Sequence, residues 1–212
     1  MIKEPCLIYI VDDDQRICEA LCDFLEANGV PSQSFNSIGD YIKFDRPNLP
    51  GCLVLDINLP DISGLEFQSQ FDRESHPPIV FVTGHGDIPS SVRAMKHGAV
   101  DFLTKPFEHT DLLNAVQTAV AQDRVRRAHQ TELTVLKARL STLTPREREV
   151  LPLVVSGLLN KQAAAKLAIS EVTFQIHRGR VMQKMQAKSV AQLVMMAQTL
   201  QISMPNANRS GR

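Results

Sequence analysis

Four short, almost uninterrupted apolar runs divide the first half of the chain, and stretches with helical spacing of apolar residues separate them. The runs are LIYIV at 7–11, CLVLD at 52–56, IVFVT at 79–83 and VDFLT at 100–104, and a weaker run, PSQSF, lies at 31–35. Strands that are apolar on both faces are typical of a parallel sheet covered by helices on both sides. The pattern therefore predicts an α/β domain of five β-α units with a doubly wound, five-stranded parallel sheet.

Polar side chains stand where these predicted strands end. Asp12 and Asp13 follow the first strand, Asp56 ends the third, Thr83 ends the fourth, and Lys105 follows the fifth. In a flavodoxin-like sheet the carboxyl ends of the strands meet at the edge where ligands bind. Clustered carboxylates repel one another unless a cation lies among them, and oxygen ligands favour a hard ion such as Mg²⁺. We therefore expect a Mg²⁺ site at this edge, with a lysine and a hydroxyl group beside it.

The formal charge of the chain is zero, but it is divided between two oppositely charged parts. Residues 1–122 carry 8 basic and 18 acidic side chains, a net charge of −10, whereas residues 123–212 carry 15 and 5, a net charge of +10. Such asymmetry indicates two modules, of which the second faces a polyanion. It also leads us to expect that the two modules attract each other in the unmodified protein.

The basic part contains repeated helix-start signals. In LTPREREVL, which begins at Leu143, Thr144 is followed three residues later by Glu147, and this pair forms a capping box. Asn160, Ser170 and Ser189 precede three further short stretches with apolar residues at helical spacing. Four short helices with a tight turn between the second and third predict a small all-α helix-turn-helix domain.

The third of these helices has a polar and basic outward face. It carries TFQIHRGRVMQK, and Phe174, Val181 and Met185 stand at core spacing. Glutamine pairs with adenine and an apolar group contacts the thymine methyl in the major groove, whereas basic residues bind phosphates. A basic helix taken alone fits a solvated surface equally well. The predicted DNA contacts are Gln175, Ile176 and Gly179 on the outward face, with Lys161, Arg178, Arg180 and Lys184 at phosphates.

The order D-D, D, T and K-P in the acidic half resembles the receiver domain of bacterial two-component response regulators. The resemblance covers residues 1–122 and implies that Asp56 is the phosphoacceptor. It further implies that Mg²⁺ is held by Asp12, Asp13, Asp56 and the backbone carbonyl of Asn58.

The same resemblance implies a switch. Thr83 and Lys105 would contact the phosphoryl oxygens, and Lys105–Pro106 would be a cis peptide bond. Thr83 and Phe102 would change position after phosphorylation. The surface formed by the next helix and the fifth strand, which includes Val92 and Met95, often forms a dimer in this family.

LTPREREVL, GLLNKQAAAKLAIS and the T, H and K that follow resemble the LuxR-type helix-turn-helix of the NarL/FixJ response regulators. Ala163 and Phe174 stand where isoleucine and valine are usual, which suggests a small-for-large exchange in one core. Gly179 occupies a position that is commonly basic, so the operator preference of relatives does not carry over.

These resemblances imply a phosphorylation-activated transcription regulator of the FixJ-like subgroup. A histidine kinase would phosphorylate Asp56, and the protein would then bind promoter DNA as a homodimer, or after release of its DNA-binding module. RNA polymerase is a further candidate partner. Because the chain lacks a long apolar segment and a signal peptide, we expect a cytoplasmic protein with no membrane partner.

Two other functions compete with this interpretation. A phosphohydrolase of the haloacid-dehalogenase type would need a second aspartate two residues after its nucleophile, where Asn58 stands. The other is a phosphorylation-independent DNA-binding regulator with a silent receiver, for which oxidation of Cys18 and Cys22 is one route of gating. A silent receiver would not need Asp13, Asp56, Thr83 and Lys105, which are all present. We therefore predict the phosphorylated regulator and not an enzyme.

The predicted domains are a receiver at 1–122, a helical linker at 123–142, a LuxR-type DNA-binding domain at 143–202 and a disordered tail at 203–212. The linker region contains leucines at heptad spacing, Leu133, Leu136, Leu140 and Leu143. This seam fits either a dimerising helix or an amphipathic helix docked on one domain.

Overall fold

The computed structural model describes residues 5–70, 75–84 and 87–203. The chain divides into two compact units, 1–127 and 128–212. None of the helices in the described ranges combines the length and the apolarity that a bilayer span needs. Of the predicted tail, only Ser203 lies within the described residues.

The first unit contains the predicted five-stranded parallel sheet, with the strand order β2-β1-β3-β4-β5. Its strands are β1 Leu7–Val11, β2 Ser32–Phe35, β3 Gly51–Leu55, β4 Ile79–Thr83 and β5 Asp101–Thr104. Its helices are α1 Gln15–Ala27, α2 Ile38–Lys43, α3 Gly64–Gln70, α4 Ile88–Lys96 and α5 His109–Ser141, the last of which continues into the second unit. The α/β fold prediction is therefore confirmed, with strand ends shifted by one residue at three strands.

The sheet is buried on both faces because its strands alternate between two cores. Ile8 and Ile10 of β1 pack with α1 and α5 on one face. Tyr9 and Val11 pack with α2, α3 and α4 on the other. Both sets are at most 2% exposed, which explains why the strands appear in the sequence as continuous apolar runs.

A buried carboxylate fixes α5 to the start of β3. Asp123 has no exposed surface, and its carboxylate accepts hydrogen bonds from the Gly51 amide at 2.9 Å and from Arg127 Nε at 2.8 Å. Arg126 Nε donates to the same carboxylate at 2.8 Å. A buried charge is tolerated only when it is paired and hydrogen-bonded, and here it anchors the strand that leads to Asp56.

The second unit is a helical domain. Its helices are α6 Pro145–Val155, α7 Asn160–Lys166, α8 Glu171–Met185 and α9 Val190–Thr199. Leu136 and Leu143 are buried in the core of this unit, and Leu140 packs against that core. Three of the four heptad leucines therefore pack into the helical domain. This agrees with an amphipathic helix docked on one domain, which was one of the two interpretations of the seam.

Two of the predicted helix starts have different outcomes. Thr144 and Glu147 form the predicted capping box of α6. The prediction that Asn160 caps α7 is wrong, because Leu159 is the N-cap residue and Asn160 is the first residue of the helix. The amide of Leu159 is satisfied instead by the side chain of Gln162 at 3.1 Å.

Candidate functional site

Strand register brings the acidic residues together. Val11 of β1 pairs with Leu55 of β3, so the residues that follow them, Asp12 and Asp56, are neighbours at the carboxyl edge of the sheet. The amide of Asp56 donates to the Val11 carbonyl at 2.9 Å, which extends this pairing beyond the strands. One carboxylate oxygen each of Asp12, Asp13 and Asp56 lies within 4.8 Å of the other two.

Asp56 lies in an environment that is unfavourable for a charged carboxylate. Its side chain is buried at 7% exposure, and its Oδ1 atom has no hydrogen-bond partner. Burial raises the pKa of the Asp56 carboxyl group, the Lys105 ammonium opposes this shift, and the Asp12 carboxylate adds to it. A buried acceptor without a donor is costly, so this oxygen is available to a ligand that brings positive charge.

The three acids fit a hard divalent cation. They offer only oxygen atoms, they have ligand oxygens within 4.8 Å of one another, and Asp56 has a buried oxygen, Oδ1, without a partner. Mg²⁺ prefers such ligands and is commonly held by one or two carboxylates together with water and phosphate oxygens. The acidic cluster expected from the sequence is therefore present at the expected edge of the sheet.

Lys105 lies beside the acids at the end of β5. Its Nζ donates to Asp12 Oδ2 at 2.5 Å, and its side chain is 20% exposed. Asp12 Oδ1 accepts from the amide of Asp14, which in turn caps α1. The Lys105–Pro106 bond is cis, as the resemblance implied. A lysine held this way supplies a fixed positive charge at the mouth of the sheet.

The two proposed switch residues lie on adjacent strands. Thr83 ends β4, pairs with Thr104 of β5 and is fully buried. Its carbonyl accepts from the Lys105 amide at 2.8 Å, which places the hydroxyl-bearing residue directly beside the lysine in the sheet. Phe102 of β5 is half-buried, and its ring centroid lies 6.3 Å from that of Phe81.

Sequence reasoning missed one residue that shapes this site. A Cβ atom on Gly64 would lie 2.4 Å from the carbonyl oxygen of Asp56, so only glycine permits α3 to begin so close to the acid. The Gly64 amide donates to the Ile57 carbonyl at 2.9 Å and closes the loop over Asn58, which is exposed. The signal was the single glycine in DISGLEF, at the start of a helical pattern.

The second unit presents the predicted DNA-contacting face. Phe174, Val181 and Met185 of α8 are at most 1% exposed and face the core. The exposed residues of the same helix include four of the predicted contacts, Gln175, Ile176, Gly179 and Arg180. Lys161, near the start of α7, is exposed as well.

The other two predicted contacts have partners inside the domain. Arg178 Nη1 donates to Asn160 Oδ1 at 2.7 Å, which connects α8 to the first turn of α7. Lys184 Nζ donates to the buried Glu147 at 2.7 Å and to the Thr142 carbonyl at 3.1 Å. The Lys184 ammonium and the Thr144 amide lower the pKa of Glu147. Lys184 thus holds α8 against the start of α6.

A doubly wound sheet with three carboxylates, a lysine and a buried threonine at its carboxyl edge, connected to a helix-turn-helix domain, defines a response regulator. Comparison with protein families agrees. Residues 8–117 match the response regulator receiver domain, and residues 141–197 match the luxR family of bacterial regulatory proteins.

Similarity to known proteins extends over nearly the whole chain. Nodulation protein W of Bradyrhizobium diazoefficiens is 46% identical over 93% of this chain and 87% of its own length. The transcriptional regulatory protein FixJ of Rhizobium meliloti is 41% identical over 90% and 94%. The structure of the response regulator StyR is 41% identical, with a TM-score of 0.79 over 92% of this chain and 99% of StyR. The chain belongs to the response regulators of the NarL/FixJ type, which regulate transcription through a LuxR-type DNA-binding domain.

Proposed function

We propose that this regulator is activated when Asp56 accepts a phosphoryl group from a sensor histidine kinase, and that the modification increases its affinity for promoter DNA. One observation carries the proposal. Asp56 Oδ1 is a buried acceptor without a partner, and it lies among two further acids and a fixed lysine. That arrangement is costly in the resting protein and becomes favourable when a cation and a phosphoryl group enter.

The positions of these groups support a direct phosphoryl transfer. A carboxylate oxygen of Asp56 attacks the phosphorus of a phosphohistidine, a P–O bond forms, and the P–N bond breaks with its electron pair returning to the imidazole. Asp12, Asp13, Asp56 and the carbonyl of Asn58 would hold Mg²⁺. A bound Mg²⁺ supplies charge neutralisation to the phosphoryl oxygens. Lys105, whose ammonium donates to Asp12, would stabilise the same charge.

The acyl phosphate then changes the neighbouring strands. A phosphoryl group adds about 1.5 to 2 negative charges and new acceptor oxygens. Thr83 and Lys105 would donate to these oxygens, and a shift of Thr83 would free space for Phe102. Because α4 connects β4 to β5 in the chain, we infer that this shift alters the exposed surface of α4 and favours a homodimer there.

The output is DNA binding by α8. Gln175, Ile176 and Gly179 would lie toward base edges, and Lys161, Arg178 and Arg180 would contact phosphates. Because Lys184 pairs with Glu147, it would position α8 and make at most a secondary phosphate contact. RNA polymerase is a candidate partner of the DNA-bound form. We keep the predicted limits of 1–122 for the receiver, 123–142 for the linker and 143–202 for the DNA-binding domain.

A redox-gated regulator has less support. Cys18 is buried, its Sγ donates to the Asp12 carbonyl at 3.4 Å, and burial is the main cause that raises its pKa to about 11. The thiolate is the reactive form, so this cysteine is poorly suited to oxidation. A phosphohydrolase would also lack its second acid, because Asn58 stands in that position.

Phosphorylation of the purified full-length protein tests the proposal. The wild type, incubated with a phosphorylated histidine kinase or acetyl phosphate and Mg²⁺, should form one acyl phosphate per chain, labile to alkali and to hydroxylamine, and bind promoter DNA more tightly. Asp56→Asn should not be labelled and should not gain affinity. Asp23→Asn, which removes an exposed acid from α1, is the matched control. Equal DNA affinity of labelled and unlabelled wild type would contradict the proposal.

A further inference from the structure

Two large apolar side chains stand exposed on the DNA-facing helix. Val172 is 67% exposed and Ile176 is 51% exposed. They lie four residues apart on α8 and therefore share one face of the helix. Helical geometry places that face opposite Phe174 and Val181, which are buried in the domain core. We refer to Val172 and Ile176 as the apolar ridge.

The surroundings of the ridge are open and polar. Gly179 follows Ile176 on the same face, and a Cβ atom there would meet nothing within 4 Å. Gln175 and Arg180, on either side of the ridge, are both exposed. The ridge is thus the only apolar feature of a face that otherwise carries amide and basic groups, within the described residues of α8.

Charge and position identify the occupant as duplex DNA. The half of the chain that contains α8 carries 15 basic and 5 acidic side chains, which favours a polyanion over an apolar protein surface. In a helix-turn-helix, the first residues of the recognition helix contact base edges, and Val172 is the second residue of α8. The 5-methyl group of thymine is the apolar group that base pairs present in the major groove.

We propose that Val172 and Ile176 both read thymine methyl groups, which makes Val172 a specificity-determining residue in addition to Ile176. The proposal rests on DNA binding by α8 as described under the proposed function. Four residues of helix span about 6 Å, and base pairs are stacked about 3.4 Å apart. Each half-site should therefore contain two thymines, on either strand, about two base steps apart.

Substitution of thymine by deoxyuridine tests this directly, because it removes only the methyl group. Binding-site selection with the phosphorylated full-length protein first supplies a duplex. Each thymine of that duplex is then replaced in turn, and affinities are measured by fluorescence anisotropy. For the wild type, we expect a loss of about fourfold in affinity at each of two positions in a half-site.

The variants assign each methyl group to a side chain. Val172→Ala should bind the thymine and deoxyuridine forms equally at one of the two positions and keep the wild-type difference at the other. Ile176→Ala should show the reverse. Met195→Ala, which shortens a side chain of α9 that is 68% exposed, should keep both differences. Alanine favours helix and both ridge positions are exposed, so the variants should fold normally.

Three outcomes are informative. The proposal is overturned if Val172→Ala keeps the wild-type difference at every position, or if the wild type does not distinguish thymine from deoxyuridine anywhere. In both cases the DNA-binding part of the proposed function stands, because the protein has selected a DNA sequence. If the phosphorylated wild type selects no sequence, the proposed function fails and this inference fails with it.

Discussion

The position of Asp56 lowers the stability of the unphosphorylated receiver. Its carboxyl group is 7% exposed, one oxygen lacks a donor, and burial raises its pKa. A carboxyl group whose pKa is higher in the folded state than in the unfolded state loses stabilisation as it ionises with rising pH. At neutral pH the ionised side chain therefore opposes folding, and the nearby Lys105 only partly offsets this cost.

Removal of this charge should stabilise the metal-free protein. Asp56→Asn should raise the free energy of unfolding of the receiver in EDTA by on the order of 1 kcal/mol, measured by chemical denaturation. Mg²⁺ should then stabilise the wild type more than it stabilises Asp56→Asn, because the variant lacks one ligand. Asp23→Asn, on the exposed side of α1, serves as the control for loss of an exposed acid and should not change either value. A less stable Asp56→Asn protein in EDTA would refute the electrostatic argument.

At the scale of elements, α8 is fixed by an ion pair with α6. Glu147 is 2% exposed, and its carboxylate accepts from Lys184 Nζ at 2.7 Å. Lys184→Met should leave the buried acid without this donor and lower the stability of the helical domain by about 2 kcal/mol. Since the pKa of Glu147 is lowered by this contact, the stabilisation is present above the ordinary value of 4.5 and is lost as the pH falls through the folded-state pKa. The difference between the two proteins should therefore shrink in acid.

Arg180→Met is the matched substitution on the exposed side of the same helix. It should leave the melting temperature nearly unchanged, weaken DNA binding, and reduce by about one the slope of log affinity against log salt. Lys184→Met should change that slope much less. If instead Lys184→Met lowers the slope as much as Arg180→Met and melts like the wild type, then Lys184 is a phosphate contact and not a structural residue.

The same elements show what sequence patterns can predict. The parallel sheet was predicted from continuous apolar strands, which are a local pattern. The acidic cluster was predicted from the polar residues at the strand ends, because the carboxyl ends of parallel strands meet at one edge of the sheet. Asp123 and Gly64 were missed, since the hydrogen bonds of Asp123 to Gly51 and the approach of Gly64 to Asp56 depend on tertiary packing. The role of Lys184 was hidden for the same reason, because its partner lies 37 residues away in the chain.

At the scale of the molecule, one copy of α8 reads only a few base pairs, so strong operator binding needs two copies. A dimeric helix-turn-helix protein contacts two half-sites about one helical turn apart. The receiver has a surface that fits this purpose, because α4 exposes Ile88, Val92 and Met95 at positions i, i+4 and i+7 of one face. Their exposed fractions are 79%, 45% and 46%.

Met95→Glu should separate dimerisation from phosphorylation. The phosphorylated wild type should sediment as a dimer, whereas phosphorylated Met95→Glu should remain a monomer because burying a carboxylate in that interface is costly. Labelling of Asp56 should be normal in both. Ile42→Glu, on α2 at 42% exposure, is the matched control and should still dimerise.

The affinities for duplexes with one and two half-sites then test whether dimerisation through the α4 surface increases DNA binding by α8. Linking two reading helices raises the apparent affinity about 100-fold or more without any new contact, provided that both half-sites are engaged at once. The wild type should therefore gain affinity on phosphorylation only for the duplex with two half-sites, and Met95→Glu should bind one and two half-sites almost alike. If Met95→Glu remains a monomer and still gains the full DNA affinity on phosphorylation, dimerisation is not needed for activation. Activation then acts by freeing α8 within one chain.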